Sequence, residues 1–420
     1  MHTSILKNAF QPMALILFFL GFASGLPLAL TSSTLTAWYT QSGTSLIGIG
    51  FLSLIGQPYI YKFIWAPLMD RFIPPFLGRR RGWLIITQLA LIAAIMLMAS
   101  LSPSSHPKLL ALFALLVAFL SASQDTTSCA VLVEMPNEQQ KGFASAVYIT
   151  GYRAAVIISG ALALILAQNI GWHITYIIMG SLMLVGVVTT LLMPEPKVSA
   201  VVATTKPSFY ENVTLPFTEF FKRKGAKASL LLILVIVLYK LGDAFALTLN
   251  TTFLLRDLHF SLTDVGIANK GVGMISSIAG GIIGGLLMMR LTLFRSLILF
   301  GLFQAVSNLA FMWLAHIGHN YWGMIFAIFA ENFCGGLSNT GFLVLLMTLC
   351  NKQYTATQFA LFSAFASLGR VYVGPVAAVM IDHVGWMWFY FTTFLISLPG
   401  VAMLPLVRKH LTDPLNSSTP

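Results

Sequence analysis

Apolar residues fill this chain in long unbroken runs, and polar residues gather in short clusters between them. About 20 consecutive apolar residues cross a bilayer as a helix. Twelve runs meet that length, centred near Ala23, Leu54, Ile92, Val117, Ala155, Leu182, Leu241, Ser277, Gly301, Asn332, Ser367 and Ile396. They are too long and continuous for the strands of a membrane barrel, which alternate over about ten residues. The pattern predicts an all-α membrane protein with twelve transmembrane helices. The first run, from about Pro12 to Trp38, exceeds a signal-peptide core and reads as a retained span.

Composition agrees with the pattern. Of the 420 residues, 57% are hydrophobic and 9% charged, with a mean hydropathy of +0.84. A soluble domain carries about 25% charged residues. The net charge of +11 raises the question of nucleic acid, but the charges lie in loops between spans and form no basic face, so no nucleic-acid partner is expected.

Those loop charges orient the chain. Lys7, Arg71, Arg79, Arg80, Arg81, Lys141, Lys197, Lys206, Lys222, Arg223, Lys224, Lys227, Arg290, Arg295, Lys352, Arg408 and Lys409 fall on one side, and Lys108 and Arg256 on the other. The positive-inside rule puts both termini in the cytoplasm. The longest hydrophilic segment stands near the middle, between PEPK and FKRKGAK. It divides the chain into a six-helix bundle over 1–193, a cytoplasmic linker over 194–228, a second bundle over 229–407 and a tail over 408–420. The linker's basic residues suit an anionic inner leaflet.

The two bundles look duplicated. A shift of 216 residues lays SLIGIG from Ser45 over SLTDVG from Ser261. With gaps, FASAVYITGYR…NIGW, Phe143 to Trp172, matches FALFSAFASLGR…HVGW, Phe359 to Trp386. Each is a span with a mid-helix Arg followed by Gly-Trp at the next turn. Two six-helix halves with a midplane site between them resemble major facilitator transporters. The loop after the second span, PLMDRFIPPFLGRRRGW, resembles that superfamily's signature, with Asp70, Arg71, Gly78, Arg79 and Arg80 on its key positions and a longer spacer, FIPPFL. These residues suit a conformational latch between the halves. The other reading is positive-inside anchoring, which leaves Asp70 unexplained.

Eight charges remain inside the spans: Lys62, Asp125, Arg153, Lys240, Asp243, Lys270, Glu331 and Arg370. A charge at mid-bilayer costs roughly 2.5–3.5 kcal/mol on an insertion scale, so these groups must face one another or a wet cavity. Five are cationic and three anionic. The excess favours an anionic or zwitterionic solute. Adjacent spans suggest Asp125 with Arg153, and Glu331 with Arg370. Each pair reads equally as a structural salt bridge or as part of a transport path. Lys240 and Asp243 share a helix face, and Asn250 lies near the same stripe. Ser24, Pro27, Thr31, Thr34 and Trp38 form a similar stripe on the first span, where Gly25 and Pro27 can free backbone carbonyls.

Other features read structurally. GGIIGG, Gly280 to Gly285, lets another helix approach closely. Trp38, Trp83, Trp172, Trp322 and Trp386 fall near span ends, as interface anchors do. His316 and His319 receive no metal. Cys129, Cys334 and Cys350 stand in apolar segments without metal-ligand spacing and read as buried free thiols. No HExxH, GxSxG or His-carboxylate constellation marks an enzyme.

Longer stretches carry a closer resemblance. GFASGLPLALT from Gly21, PYIYKFIWAPLMDR from Pro58, GRRRGW from Gly78, YKLGDAFA from Tyr239, ENFCGGL from Glu331, LMTLCNKQYTATQFAL from Leu346 and GRVYVGPVA from Gly369 are similar to AmpG-type muropeptide permeases. The resemblance implies import of anhydromuropeptides from periplasm to cytoplasm, driven by the proton gradient with no cofactor, in the inner membrane of a Gram-negative bacterium. In the fourth span the chain keeps Ser121, Ala122, Ser123, Gln124 and Asp125. It departs at Cys129, where the family pattern has a second Asp, and at Val131 and Leu132, where it has an aromatic residue and Lys; Glu134 keeps the later acid.

The combined expectation is a proton symporter. Asp125, Asp243 and Glu331 are its proton carriers. Arg153, Lys240, Lys270, Arg370, Asn250, Gln124 and Lys62 are its solute-binding candidates. The partners expected are a sugar-peptide solute and the bilayer, with the protein a monomer. A siderophore or another peptide-like cargo, and a transport-inactive sensor or scaffold, are the competing readings.

Overall fold

Lipid offers a backbone no hydrogen-bond partner, so apolar runs of this length must close their own bonds as helices. A computed structural model of the chain describes residues 12–66, 69, 72–136, 141–196, 218–350 and 355–412. No strand occurs among them. Ten helices have the length and apolarity to cross a membrane. They are span one Pro12–Gln41, span three Arg79–Ala99, span four Pro107–Glu134, span five Ala144–Ile170, span six Trp172–Leu192, span seven Ala226–Asp257, span eight Leu262–Met288, span nine Leu293–Ile317, span ten Tyr321–Leu349 and the 49-residue Leu361–Lys409. The last turns at Gly385 and supplies spans eleven and twelve. The shorter helix Leu46–Tyr61 is span two, interrupted by a 3-10 stretch over Leu52–Gly56. Among the described residues the count is twelve.

The Gly-Trp repeat has a conformational cause. Gly171 has φ 83° and Gly385 φ 74°, in the left-handed region where a side chain is strained. Each ends one span and starts the next within a single residue.

The described residues fall into two compact units. One draws on Met1–Thr44, Leu54–Lys206 and Ser261–Gly266; the other on Ser45–Ser53, Pro207–Phe260 and Ile267–Pro420. In the first, spans one and five touch backbone to backbone. A Cβ at Gly21 or Gly25 would collide with the carbonyls of Tyr148 or Tyr152, and one at Gly151 with that of Phe18. In the second, the expected approach at GGIIGG is present. Gly280 lies on the Phe333 carbonyl and Gly336 on that of Ser277. The first half of span two packs in this unit, with Gly50 against Gly374 and the Ser53 hydroxyl donating to the Val371 carbonyl at 2.7 Å.

Two expectations change here. Trp38 is 3% exposed, stacked on Trp172 at 5.6 Å and packed on Tyr176 at 4.9 Å. It is a core residue rather than an interface anchor, because the start of span six covers it; Trp322, 77% exposed, keeps the exposure an anchor needs. The end of the hydrophilic central segment is also ordered, as a helix at 218–224. Its Phe220 is 1% exposed in the core of the second unit, edge-on to Phe362 at 4.9 Å.

Substituting Gly280→Val should destabilise the protein by about 1–3 kcal/mol through overpacking. Gly285→Ala, where nothing lies within 4 Å, should stay within about 0.5 kcal/mol. Thermal unfolding in detergent compares the two.

Candidate functional site

Span four sets one charged group in place. Asp125 follows the apolar run LLALFALLVAFL, and the helix carries it unbroken to Glu134. Its partner is Lys62 at the end of span two, with Nζ 2.7 Å from Oδ2. On the other oxygen, the Tyr148 hydroxyl donates at 3.5 Å and the Cys129 thiol lies at 3.9 Å. The expected pairing with Arg153 is therefore replaced by Lys62. Arg153 is exposed and has no ion-pair partner among the described residues. Neighbouring helices in sequence do not fix which faces meet; the glycine approach of spans one and five sets the rotation of span five. Cys129 is exposed rather than buried, while Cys334 is intermediate and Cys350 buried.

Gln124 stands one residue before Asp125 and is 0% exposed. Neither its Oε1 nor its Nε2 has a hydrogen-bond partner among the described residues. The span-one stripe is buried as well. Thr34 donates to the Ser159 carbonyl at 2.6 Å, and Thr31 to that of Pro27 at 3.1 Å.

The second unit holds a larger network. Lys240 Nζ lies 3.3 Å from Asp243 Oδ2 on the same face of span seven and also donates to Asn339 Oδ1 on span ten. Its ammonium stands 5.6 Å from the Phe342 ring, within cation–π range. From span nine, the Gln304 amide donates to Asp243 Oδ1 at 2.8 Å and to Glu331 Oε1 at 3.3 Å. Glu331 is 2% exposed. The expected partner Arg370 is instead exposed, without an ion-pair partner among the described residues. Lys270, half-buried, is likewise without one. It sits in a π-helical turn over Ala268–Val272, a distortion frequent at functional sites. Asn250 is 7% exposed, and its Oδ1 has no partner among the described residues.

Charge-based reading of the sequence passed over Gln304, Asn339 and Tyr148. The signal for Gln304 was a lone amide in the middle of the apolar run LILFGLFQAV.

Part of the expected latch lies outside the described residues: Asp70 and Arg71. The rest is visible within the first unit. Gly78, at φ 85°, starts span three, and the Glu195 carboxylate caps that helix by accepting from the Arg80 and Arg81 amides at 2.8 and 3.0 Å. A carboxylate there also complements the helix dipole. Arg80 grips Glu134 through Nε at 3.0 Å and Nη2 at 2.5 Å, and Arg79 lies 3.5 Å from the same carboxylate.

Membrane-crossing helices in two units, with charged networks held inside them, define a solute transporter. The Major Facilitator Superfamily profile matches residues 13–374. The anhydromuropeptide permease of Escherichia coli K12 is 45% identical over 98% of this chain and 83% of its own. A protein of Haemophilus influenzae Rd is 36% identical over 96% of each chain. A POT family transporter crystallised with 5-aminolevulinic acid shares the fold, with TM-score 0.72 at 11% identity over 95% of this chain and 96% of that one. A nucleoside transporter also reaches TM-score 0.72, at 13% identity over 96% and 100%. The chain belongs to the major facilitator superfamily, as an AmpG-type transporter. It is a transporter and not an enzyme.

Glu134→Gln removes a charge-assisted acceptor from Arg80, which should cost about 1.5–3 kcal/mol, less its partial solvent screening, measured by thermal unfolding in detergent. Burial pushes the Cys350 thiol up to about 11 against the pull of Arg223, leaving roughly one part in ten thousand as thiolate at pH 7. Mass spectrometry after brief N-ethylmaleimide treatment at pH 7 should find Cys350 intact. Modification of Cys350 should rise as pH approaches 11.

Proposed function

We propose that the protein imports anhydromuropeptides from periplasm to cytoplasm by proton symport, alternating access between its two bundles. The observation that carries this reading is the 45% identity over 98% of the chain to the anhydromuropeptide permease of E. coli. The site chemistry supports it. Arg153, Lys270 and Arg370 are cations inside spans without an ion-pair partner among the described residues, and an anionic or zwitterionic sugar-peptide supplies the carboxylates they lack. Lys240, Lys62, Gln124 and Asn250 add donors and acceptors. Asp125, Asp243 and Glu331 carry the proton. The proton gradient is the energy source and no cofactor takes part. Asp70, Arg71, Gly78, Arg79 and Arg80 form the cytoplasmic latch, with Glu134 and Glu195 holding its helix end in place. The protein works as a monomer in the bacterial inner membrane with both termini cytoplasmic, where the basic loops favour an anionic leaflet. The replacements at Cys129, Val131 and Leu132 favour testing a second cargo, a siderophore.

Cells lacking their own muropeptide permease and expressing this chain should accumulate labelled anhydromuropeptide. A protonophore should reduce the uptake about tenfold, and a labelled siderophore should not enter. Arg153→Gln and Arg370→Gln should each raise KM on the order of tenfold through a lost charge-assisted bond. Absence of anhydromuropeptide uptake at confirmed expression would reject the cargo.

A further inference from the structure

The second unit holds two carboxyl groups on one amide. Gln304 Nε2 donates to Asp243 Oδ1 at 2.8 Å and to Glu331 Oε1 at 3.3 Å. The orientation follows from the bonding: only the NH2 end supplies donors to two carboxyl oxygens. Gln304 is 4% exposed, and its Oε1 is buried without a partner among the described residues. A buried amide left half satisfied costs stability, so the arrangement favours the carboxyl pair at the expense of the Gln304 carbonyl.

Charge balance gives the pair a task. Lys240 is the cation paired with Asp243, one positive charge against the carboxyl groups of Asp243 and Glu331. A neutral cluster therefore holds one proton on the two. One amide nitrogen reaches both, which holds Oδ1 of Asp243 and Oε1 of Glu331 within about 6 Å of each other. Their surroundings differ. The Asp243 side chain keeps 15% of its surface exposed, whereas Glu331 keeps 2%. Other ionisable groups act on the pair: Tyr239 on span seven faces Asp243, and Cys334 on span ten and Tyr390 on span twelve face Glu331.

We propose that Gln304 is the positioning residue for proton coupling, its amide holding Asp243 and Glu331 together so that one proton passes between the outer and the inner carboxyl group. In the inward transfer, the O–H bond of Asp243 breaks as one forms on Glu331. The negative charge moves the opposite way, onto Asp243, where Lys240 compensates it. No other reactant is consumed. Gln304 neither carries the proton nor needs to touch the solute. The proposal rests on the proton-symport reading above and adds to it a residue that does not titrate.

Purified wild type and the variants Gln304→Leu and Gln304→Asn, each checked by size-exclusion chromatography, go into proteoliposomes with labelled anhydromuropeptide. Two rates are read: accumulation driven by an imposed pH gradient, and counterflow exchange without a gradient. Gln304→Leu should lose about tenfold in driven accumulation and keep counterflow within about threefold. Gln304→Asn, which keeps the NH2 on a shorter arm, should fall between. Driven accumulation unchanged in Gln304→Leu overturns the role of Gln304 while leaving symport intact. Equal loss of both rates assigns Gln304 to folding or solute binding and also overturns it. Wild-type accumulation indifferent to the gradient rejects symport, and the proposal with it. Infrared difference spectra supply a readout free of any cargo. Asp243→Asn should alter the Glu331 carboxyl band more when Gln304 is present than in Gln304→Leu. An equal response with and without Gln304 overturns the proposal.

Discussion

A charged side chain at the middle of a bilayer costs roughly 2.5–3.5 kcal/mol even on a lenient scale, and the sequence places eight well inside its predicted spans. Hydrocarbon offers nothing to meet that cost, so the protein must meet it from within. It does so separately in each unit. The first sets Lys62 on Asp125. The second sets Lys240 between Asp243 and Asn339 and adds the Gln304 amide between two carboxyl groups. Arg153, Lys270 and Arg370 have no ion-pair partner among the described residues. Stability explains the pairs; the solute-binding role proposed for the other three is what would account for cations kept in a membrane without a partner.

These short distances depend on helices that come close. At Gly21, Gly25 and Gly151 in the first unit, and at Gly280 and Gly336 in the second, backbone meets backbone. Small residues are how membrane helices pack without a hydrophobic drive between them. Close axes bring polar side chains from different spans within reach, and they fix the helix rotation that decides which side chains meet. The glycines and the charges are parts of one arrangement. The matching turns at Gly171 and Gly385 fit a duplicated scaffold, yet the two units solve the charge problem with different chemistry, one by a single ion pair and the other by a branched network.

This explains what could be read from the chain. Apolar length predicted the spans, the Gly-Trp repeat marked two turns, and GGIIGG marked a close approach, because each is a property of one helix or one turn. The ion-pair partners were not legible. Asp125 with Arg153, and Glu331 with Arg370, follow from sequence neighbourhood, whereas pairing follows from helix rotation, which spacing within a helix leaves open. Lys240 with Asp243 was legible because both lie on one face of one helix. Gln304 was missed because it carries no charge, although it donates to two carboxyl groups and such donors also bear on a carboxyl group's protonation. Trp38 sat at a predicted span end, and only the packing of Trp172 on it reveals a core position.

Span four shows how the same constraint shapes a departure from a family pattern. Against the pattern that the resemblance to those permeases implies, this chain has Cys129 where an acid is expected and Leu132 where a lysine is expected. The acid and the base are absent together, so the span's charge balance is kept. The surroundings fit the change. Val131 is 0% exposed and packs with Leu17, Leu20 and Tyr148, and Leu132 is partly buried against the same cluster. A lysine at 132 would need a carboxylate partner inside this core, and a lone acid at 129 would stand one helical turn from Asp125, raising like-charge repulsion. With both replaced, Lys62 serves Asp125 alone. The substitutions thus read as one coupled change that leaves the Lys62–Asp125 pair intact.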